Sequence, residues 1–276
     1  MMTPMKPLLW EWHFNLLIML LAMGLVYLYY RLAGYKHRQN NIIFCIALSL
    51  FLLTECSPLH FLGMHCYFSA HMIAHVILLL VCGPLLVMSL PAGSGTHQTV
   101  AAMSGFIRKH SWLAWCSGVA VMWFWHIPAV FDASFVHMGS WLSPVPLLHG
   151  GSMLLAGVIF SWPLFGPDKK LHIHPLSGVL YLFTACVSCS LLGLLITFAP
   201  LTTYHHYVSN TMKMGSTNPW HITQATDQQV AGLIMWVPCC FVYLTGCLYL
   251  LQRWFAESPA QTETVSIHLH TPVIHD

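Results

Sequence analysis

The chain has 276 residues, of which 57% are hydrophobic and only 7% are charged. A soluble domain carries about 25% charged residues, so 10 basic and 8 acidic side chains cannot make a water-facing surface for a chain this long. These proportions exclude a soluble enzyme, a nucleic-acid binder and a disordered chain. The anomaly is histidine, with 19 residues against 10 Lys and Arg combined.

A helix crossing the bilayer core needs roughly 20 mostly apolar residues. Seven such runs follow one another, at about 12–32, 41–56, 66–90, 111–127, 145–165, 175–199 and 226–254. The first has Glu11 before it, Arg31 after it and no small-residue cleavage site, so it reads as a helix rather than a signal peptide. The fold expected is therefore all-α: a polytopic bundle of seven transmembrane helices over 1–254, with a polar, flexible tail over 255–276. No internal repeat is visible. Alternate connections hold Arg31, Lys36 and Arg38, then Arg108 and Lys109, then Lys169 and Lys170, and finally Arg253. By the positive-inside rule the N-terminus lies outside and the C-terminus in the cytoplasm.

That orientation sorts the histidines. His13, His60, His65, His137, His205, His206 and His221 fall near outer connections, where a solvated imidazole needs no explanation. Four others stay with the helices. His71 and His75 lie in the outer half of the third run, His126 ends the fourth and His149 begins the fifth. Asp227 opens the seventh. Ionisable groups at this depth are costly and usually face the bundle interior as part of a site.

His71 and His75 are four residues apart, which stacks both rings on one helix face. Such a pair offers two nitrogens to one metal ion. In zinc proteases a general-base Glu follows the first His, whereas here that position is Met72, so protease chemistry is not expected. Hydrogen bonding to neighbouring helices is the plain alternative for any single imidazole, but four on three helices at one level point to a metal. Met64, Cys66 and Met72 lie close in sequence, and Met212 and Met214 precede the seventh run. Soft sulfur donors beside imidazole favour copper over zinc. On the seventh run Gln228 and Met235 share a face, while Asp227 either serves the site or caps a helix N-terminus.

Cys186 and Cys189 lie mid-span in the sixth run, spaced three apart. Without a strand–turn–helix context this is no thioredoxin motif. Buried small hydrophobes account for the pair, with a deep copper(I) relay as the alternative. His268, His270 and His275 in the tail either gather metal or decorate an ordinary end. No span contains a lysine, which excludes a retinal Schiff base, and no phosphate-cradling loop is present.

The run Ser57-Pro58-Leu59 followed by Phe68-Ser69-Ala70-His71-Met72-Ile73-Ala74-His75 resembles the CtaG membrane family. So do Trp125-His126-Ile127-Pro128, Phe131-Asp132-Ala133, His149 and Ser161-Trp162-Pro163. The Asp227-Gln228-Gln229 run through Trp236-Val237-Pro238 is the most specific part. The matches extend in order from about residue 55 to 245. This resemblance implies a seven-helix assembly factor of caa-type cytochrome c oxidase, multi-pass in a bacterial plasma (inner) membrane, and not an enzyme. Its implied partner is a haem–copper oxidase subunit or an assembly intermediate of it, with no nucleic acid.

The reading that follows is a copper-handling chaperone. His71, His75, His126 and His149 are its expected ligands, Met72 and Met64 its sulfur donors, and Asp227 a partner orienting an imidazole. A cytochrome holding haem between two histidines is one alternative. A metal-free assembly scaffold is another, and a proton or ion transporter built on Glu55 and Asp227 a third.

Overall fold

The computed structural model describes residues 12–33, 37–91, 98–137, 142–208, 220 and 222–269, with 136–137 and 257–269 as backbone. Among them every regular element is helical. In chain order these are α1 (Leu16–Ala33), α2 (Arg38–Cys56), α3 (Pro58–His65), α4 (Phe68–Val76), α5 (Gly83–Met88), α6 (Gln98–Lys109), α7 (Ser111–Trp125), α8 (Pro128–His137), α9 (Pro144–Phe165), α10 (Pro175–Phe198) and α11 (Gln224–Leu269). A π-helical stretch, Ile77–Cys82, joins α4 to α5 and makes one span of Phe68–Met88.

Among the described residues six helices are long and apolar enough to cross a membrane, and the bent pair of α7 with α8 makes seven when it is counted as one span. The hydrophobic runs coincide with these helices to within a few residues, except that the run at 111–127 covers α7 and stops at the bend before α8. Large apolar side chains such as Leu20, Tyr27, Leu180, Leu191 and Phe241 point outward, which is the belt that lipid solvates. Burial shows which helices are central. Of the best apolar window, 56% is buried in both Phe68–Met88 and α9, against 17% in α1. The two spans carrying His71, His75 and His149 thus form the axis, with α7, α10 and α11 packed on one side and α1 and α2 on the other.

Breaks in the helices have local causes. Pro128 has no amide hydrogen and disfavours helical backbone at the residue before it. The chain accordingly leaves α7 at His126 and bends by 68° into α8. After His75 the wider π turn carries the chain to Pro84, and the Gly83 amide donates five residues back, to the Leu78 carbonyl. Such wide turns recur at functional sites. Past Ala256, where a tail was expected, the α11 backbone stays helical to Leu269. The side chains of His268, His270 and His275 lie outside the described residues, as do Met212 and Met214.

Glycine sets the approach of the axial spans. A Cβ on Gly83 would run into the backbone of Gly157, and a Cβ on Gly157 into the Leu79 carbonyl. Without a hydrophobic force between helices in lipid, small residues that let backbones touch are what hold such a pair together.

Candidate functional site

Four buried imidazoles meet near one end of the axial helices, His75 two turns into its span and His149 on the second turn of α9. His71, His75, His126 and His149 are 6%, 2%, 3% and 6% exposed. His71, His75 and His149 each offer a ring nitrogen, and these atoms lie within 4.8 Å of one another. His75 is the hub. Its Nε2 is 2.7 Å from His149 Nε2, and its Nδ1 is 3.3 Å from His126 Nε2. His71 joins through its ring, 4.4 Å from that of His75 and 5.2 Å from that of His149, centroid to centroid.

The α4 spacing stacks His71 over His75, as the sequence implied. His149 arrives on the second turn of α9, whose start is fixed by Pro144 and by Ser143 accepting from the Val145 amide. His126 arrives by the bend before α8, where its Nδ1 donates to the Met122 carbonyl at 2.6 Å.

That anchor sets the proton order along the chain of rings. With its proton on Nδ1, His126 presents a lone pair at Nε2. His75 must then donate from Nδ1, leaving a lone pair on its own Nε2, to which His149 donates. The same lone pairs are those a metal ion uses. A metal–nitrogen bond of about 2.0–2.1 Å places two ligand nitrogens about 3.3 Å apart, so His75 and His126 already stand at ligand spacing. His75 and His149 must open slightly. Because His75 turns one nitrogen to each neighbour, a single ion takes either the His71–His75–His149 side or the His75–His126 side.

The second side includes sulfur. Met72 Sδ lies 3.2 Å from His126 Nε2, and Met72 is fully buried. Met64 is different: it is buried in the same core, but its bond to the surroundings is its carbonyl, which accepts from His206 Nε2 at 2.8 Å. Cys66 packs in a separate cluster with Leu62 and Tyr67. Burial, helped by the Asp227 carboxylate, pushes its thiol up to about 11, so it is protonated at neutral pH.

Asp227 does not orient an imidazole. One carboxylate oxygen accepts from the Phe68 amide at 2.6 Å, the other from the Ser69 amide at 3.1 Å and its hydroxyl at 2.5 Å. It thus caps the N-terminus of α4, the helix of His71 and His75, and sits at the positive end of that helix's dipole. Gln228 does the converse, its side-chain amide donating to the Ile196 and Ala199 carbonyls at the end of α10. The Asp-Gln pair is a clamp that fastens two other helices to α11.

The walls are aromatic. Trp125 meets His149 edge-on at 4.8 Å, and Phe131 and Phe135 flank His71 at 5.3 and 5.1 Å. One helical turn at 205–208 closes that end of the site. Asp132 accepts from the His205 and His206 amides, and the Tyr207 hydroxyl donates to the Gly63 carbonyl.

Glu55 is the neighbour that the metal reading had passed over. Its carboxylate fills the space beside Gly150, next to His149, and lies 3.9 Å from His60 Nδ1. An acid inside an apolar run was the available signal. Burial, then the proximity of His13 and His65, lowers the His60 imidazole to about 4.

Most of the matched sequence blocks lie around these four rings or in the clamp that holds α4, while Ser161-Trp162-Pro163 lies apart, where the Trp162 indole donates to Ser104 Oγ at 3.0 Å. The family model of the cytochrome c oxidase caa3 assembly factor (Caa3_CtaG) matches residues 19–257. The chain belongs to this family. No curated protein and no solved structure matches it. Within the caa3 assembly factor family the match runs from inside α1 to inside α11, so the cluster, the bend at His126 and the Asp-Gln clamp all lie inside it.

Proposed function

We propose that this caa3 assembly factor binds copper at the imidazole cluster and hands it to a haem–copper oxidase subunit or assembly intermediate docked in the membrane. The observation that carries this reading is the convergence of His71, His75 and His149 within 4.8 Å, with His126 and Met72 on the other side of His75. Imidazole with thioether suits copper, above all copper(I), better than zinc. The positive-inside bias supports a cluster in the outer half of a bacterial plasma membrane, with the ion arriving from outside.

Delivery requires a ligand shell that can be exchanged. His75 supports this by serving either side of the cluster, so an ion can move from three imidazoles toward His126 and Met72 by turning one bond at a time. His126 also lines an open groove between α7 and α10, with Trp123, Pro128, Leu195 and Tyr204. That groove is where a receiving subunit would reach the ion.

Haem finds less support. A macrocycle needs a slot of several hundred Å³, about 300 or more, whereas the rings touch and the cavity beside His75 measures about 10 Å³.

The test is anaerobic titration of the purified protein with copper(I) against a chromophoric chelator. Changing both His71 and His75 to Ala should weaken binding at the cluster by more than the roughly 100-fold typical of outer partners. Undiminished copper binding in that variant would sink the assignment.

A further inference from the structure

Sulfur gathers next to the imidazole cluster. A small cavity of about 10 Å³ adjoins His75 and is lined by the thioethers of Met122, Met153 and Met235 and the thiol of Cys239. All four sulfur residues are at most 4% exposed. Cys189 adjoins the same place from α10, its Sγ 3.9 Å from Met122 Sδ and its thiol donating to the Met235 carbonyl at 3.0 Å. Cys239 faces the same cavity as Met122, the neighbour of Cys189. Beyond them Cys186 and Cys240 continue the layer, 3.3 Å apart and half-buried.

We propose that Met122, Cys189 and Cys239 form a second, sulfur-only site for a soft monovalent metal ion, copper(I), adjoining His75. The proposal rests on the copper reading of the imidazole cluster only for the identity of the ion.

Three physical arguments carry it. Geometry comes first: a metal–sulfur bond of about 2.3 Å puts two sulfurs of a trigonal site about 4 Å apart, the spacing of Cys189 and Met122. Donor chemistry comes second. Thiolate and thioether select copper(I), and neither hard cations nor zinc gain from a thioether. Charge comes third. An unpaired cation inside a bilayer is very costly, but here the ion replaces a proton. The S–H bond of Cys189 breaks, a copper–sulfur bond forms, and the proton is released to water as at any thiolate site. The Cys189 thiolate and the Met122 thioether around copper(I) make a site of zero net charge, with the Cys239 sulfur beside them as a weak third donor that takes over when it yields its own proton. No electron changes hands.

The Met235 carbonyl, which Cys189 leaves, is in the interior of α11 and keeps its helical bond. His75 borders the cavity, so an ion leaving the imidazoles passes to sulfur without meeting lipid. The layer draws on α7, α10 and α11, which gives these cysteines a common role that burial alone does not.

The experiment is anaerobic copper(I) titration of the full chain in detergent, with X-ray absorption on the loaded protein. Wild type should take up a second equivalent beyond that of the imidazoles. The Cys189→Ser/Cys239→Ser variant should lose that equivalent and keep the imidazole-bound one. The His71→Ala/His75→Ala variant should do the reverse, and its remaining copper should show sulfur neighbours alone. Should the thiol variant fail to fold, Met122→Leu, which keeps the volume, should weaken the second equivalent at least tenfold. Copper uptake unchanged by the thiol variant or by Met122→Leu overturns the sulfur site. Uptake lost with the thiols but indifferent to the histidines upholds it and overturns the imidazole reading instead.

Discussion

His75 and His149 meet nitrogen to nitrogen at 2.7 Å, on helices whose backbones touch eight residues further along, at Gly83 and Gly157. Both helices run in the same sense, so the two contacts are successive points on one seam. The ring pairing exists because the glycines allow the approach. A side chain at either glycine meets backbone, which cannot turn aside.

Gly157→Leu should therefore separate the imidazoles as well as destabilise the bundle. Overpacking of this kind costs about 1–3 kcal/mol. Thermal unfolding in detergent should show a lower midpoint. Copper(I) titration of the still-folded protein should show weaker binding, although residue 157 carries no ligand.

Asp227 acts on the site through the helix end it caps. Asp227→Ala leaves the Phe68 and Ser69 donors without their acceptor and should cost roughly 1–3 kcal/mol of stability. Copper affinity should fall less than in His75→Ala. A loss as complete as that of His75→Ala would make Asp227 a ligand after all.

The proton order in the ring chain is readable by nitrogen NMR of histidine-labelled, metal-free protein. His126 and His75 should each carry the proton on Nδ1 and His149 on Nε2. Finding His126 protonated on Nε2 would contradict the Met122 carbonyl as the anchor of the chain.

His60 gives the protein an acid limit. Its imidazole is lowered from the usual 6.5 to about 4 by burial and by His13 and His65, the 3.9 Å approach of Glu55 being too long for a hydrogen bond. The unfolded chain then binds a proton that the folded chain resists. Stability from this group is complete above about pH 6.5 and is lost as pH falls toward 4, by no more than about 3 kcal/mol. Unfolding midpoints measured from pH 7 to 4 should fall, and His60→Gln should flatten that fall.

Much of the fold was legible because lipid imposes a simple code. A span must be apolar and about 20 residues long, so all seven runs found their helices. The bend at His126 was within reach too, through Pro128. Other features needed the packing. That His71 and His75 share a face follows from α4 alone, but their meeting with His126 and His149 depends on which spans are neighbours, and no periodicity encodes this. Asp227 was misjudged because a carboxylate near imidazoles in depth suggests a ligand partner, while its acceptors' true donors lie on a different helix, 158 and 159 residues away. Met122 gave no signal at all: one methionine in an apolar helix reads as filler, and its link to Cys189 spans 67 residues.

X-ray absorption on the Cys189→Ser/Cys239→Ser protein, loaded with a single equivalent of copper(I), tests the imidazole site with the sulfur layer removed. The account predicts two or three imidazole nitrogens around copper, with the outer-shell scattering of their rings, and the loss of that signal in His75→Ala. A copper shell without imidazole, or one that His75→Ala leaves unchanged, would contradict it.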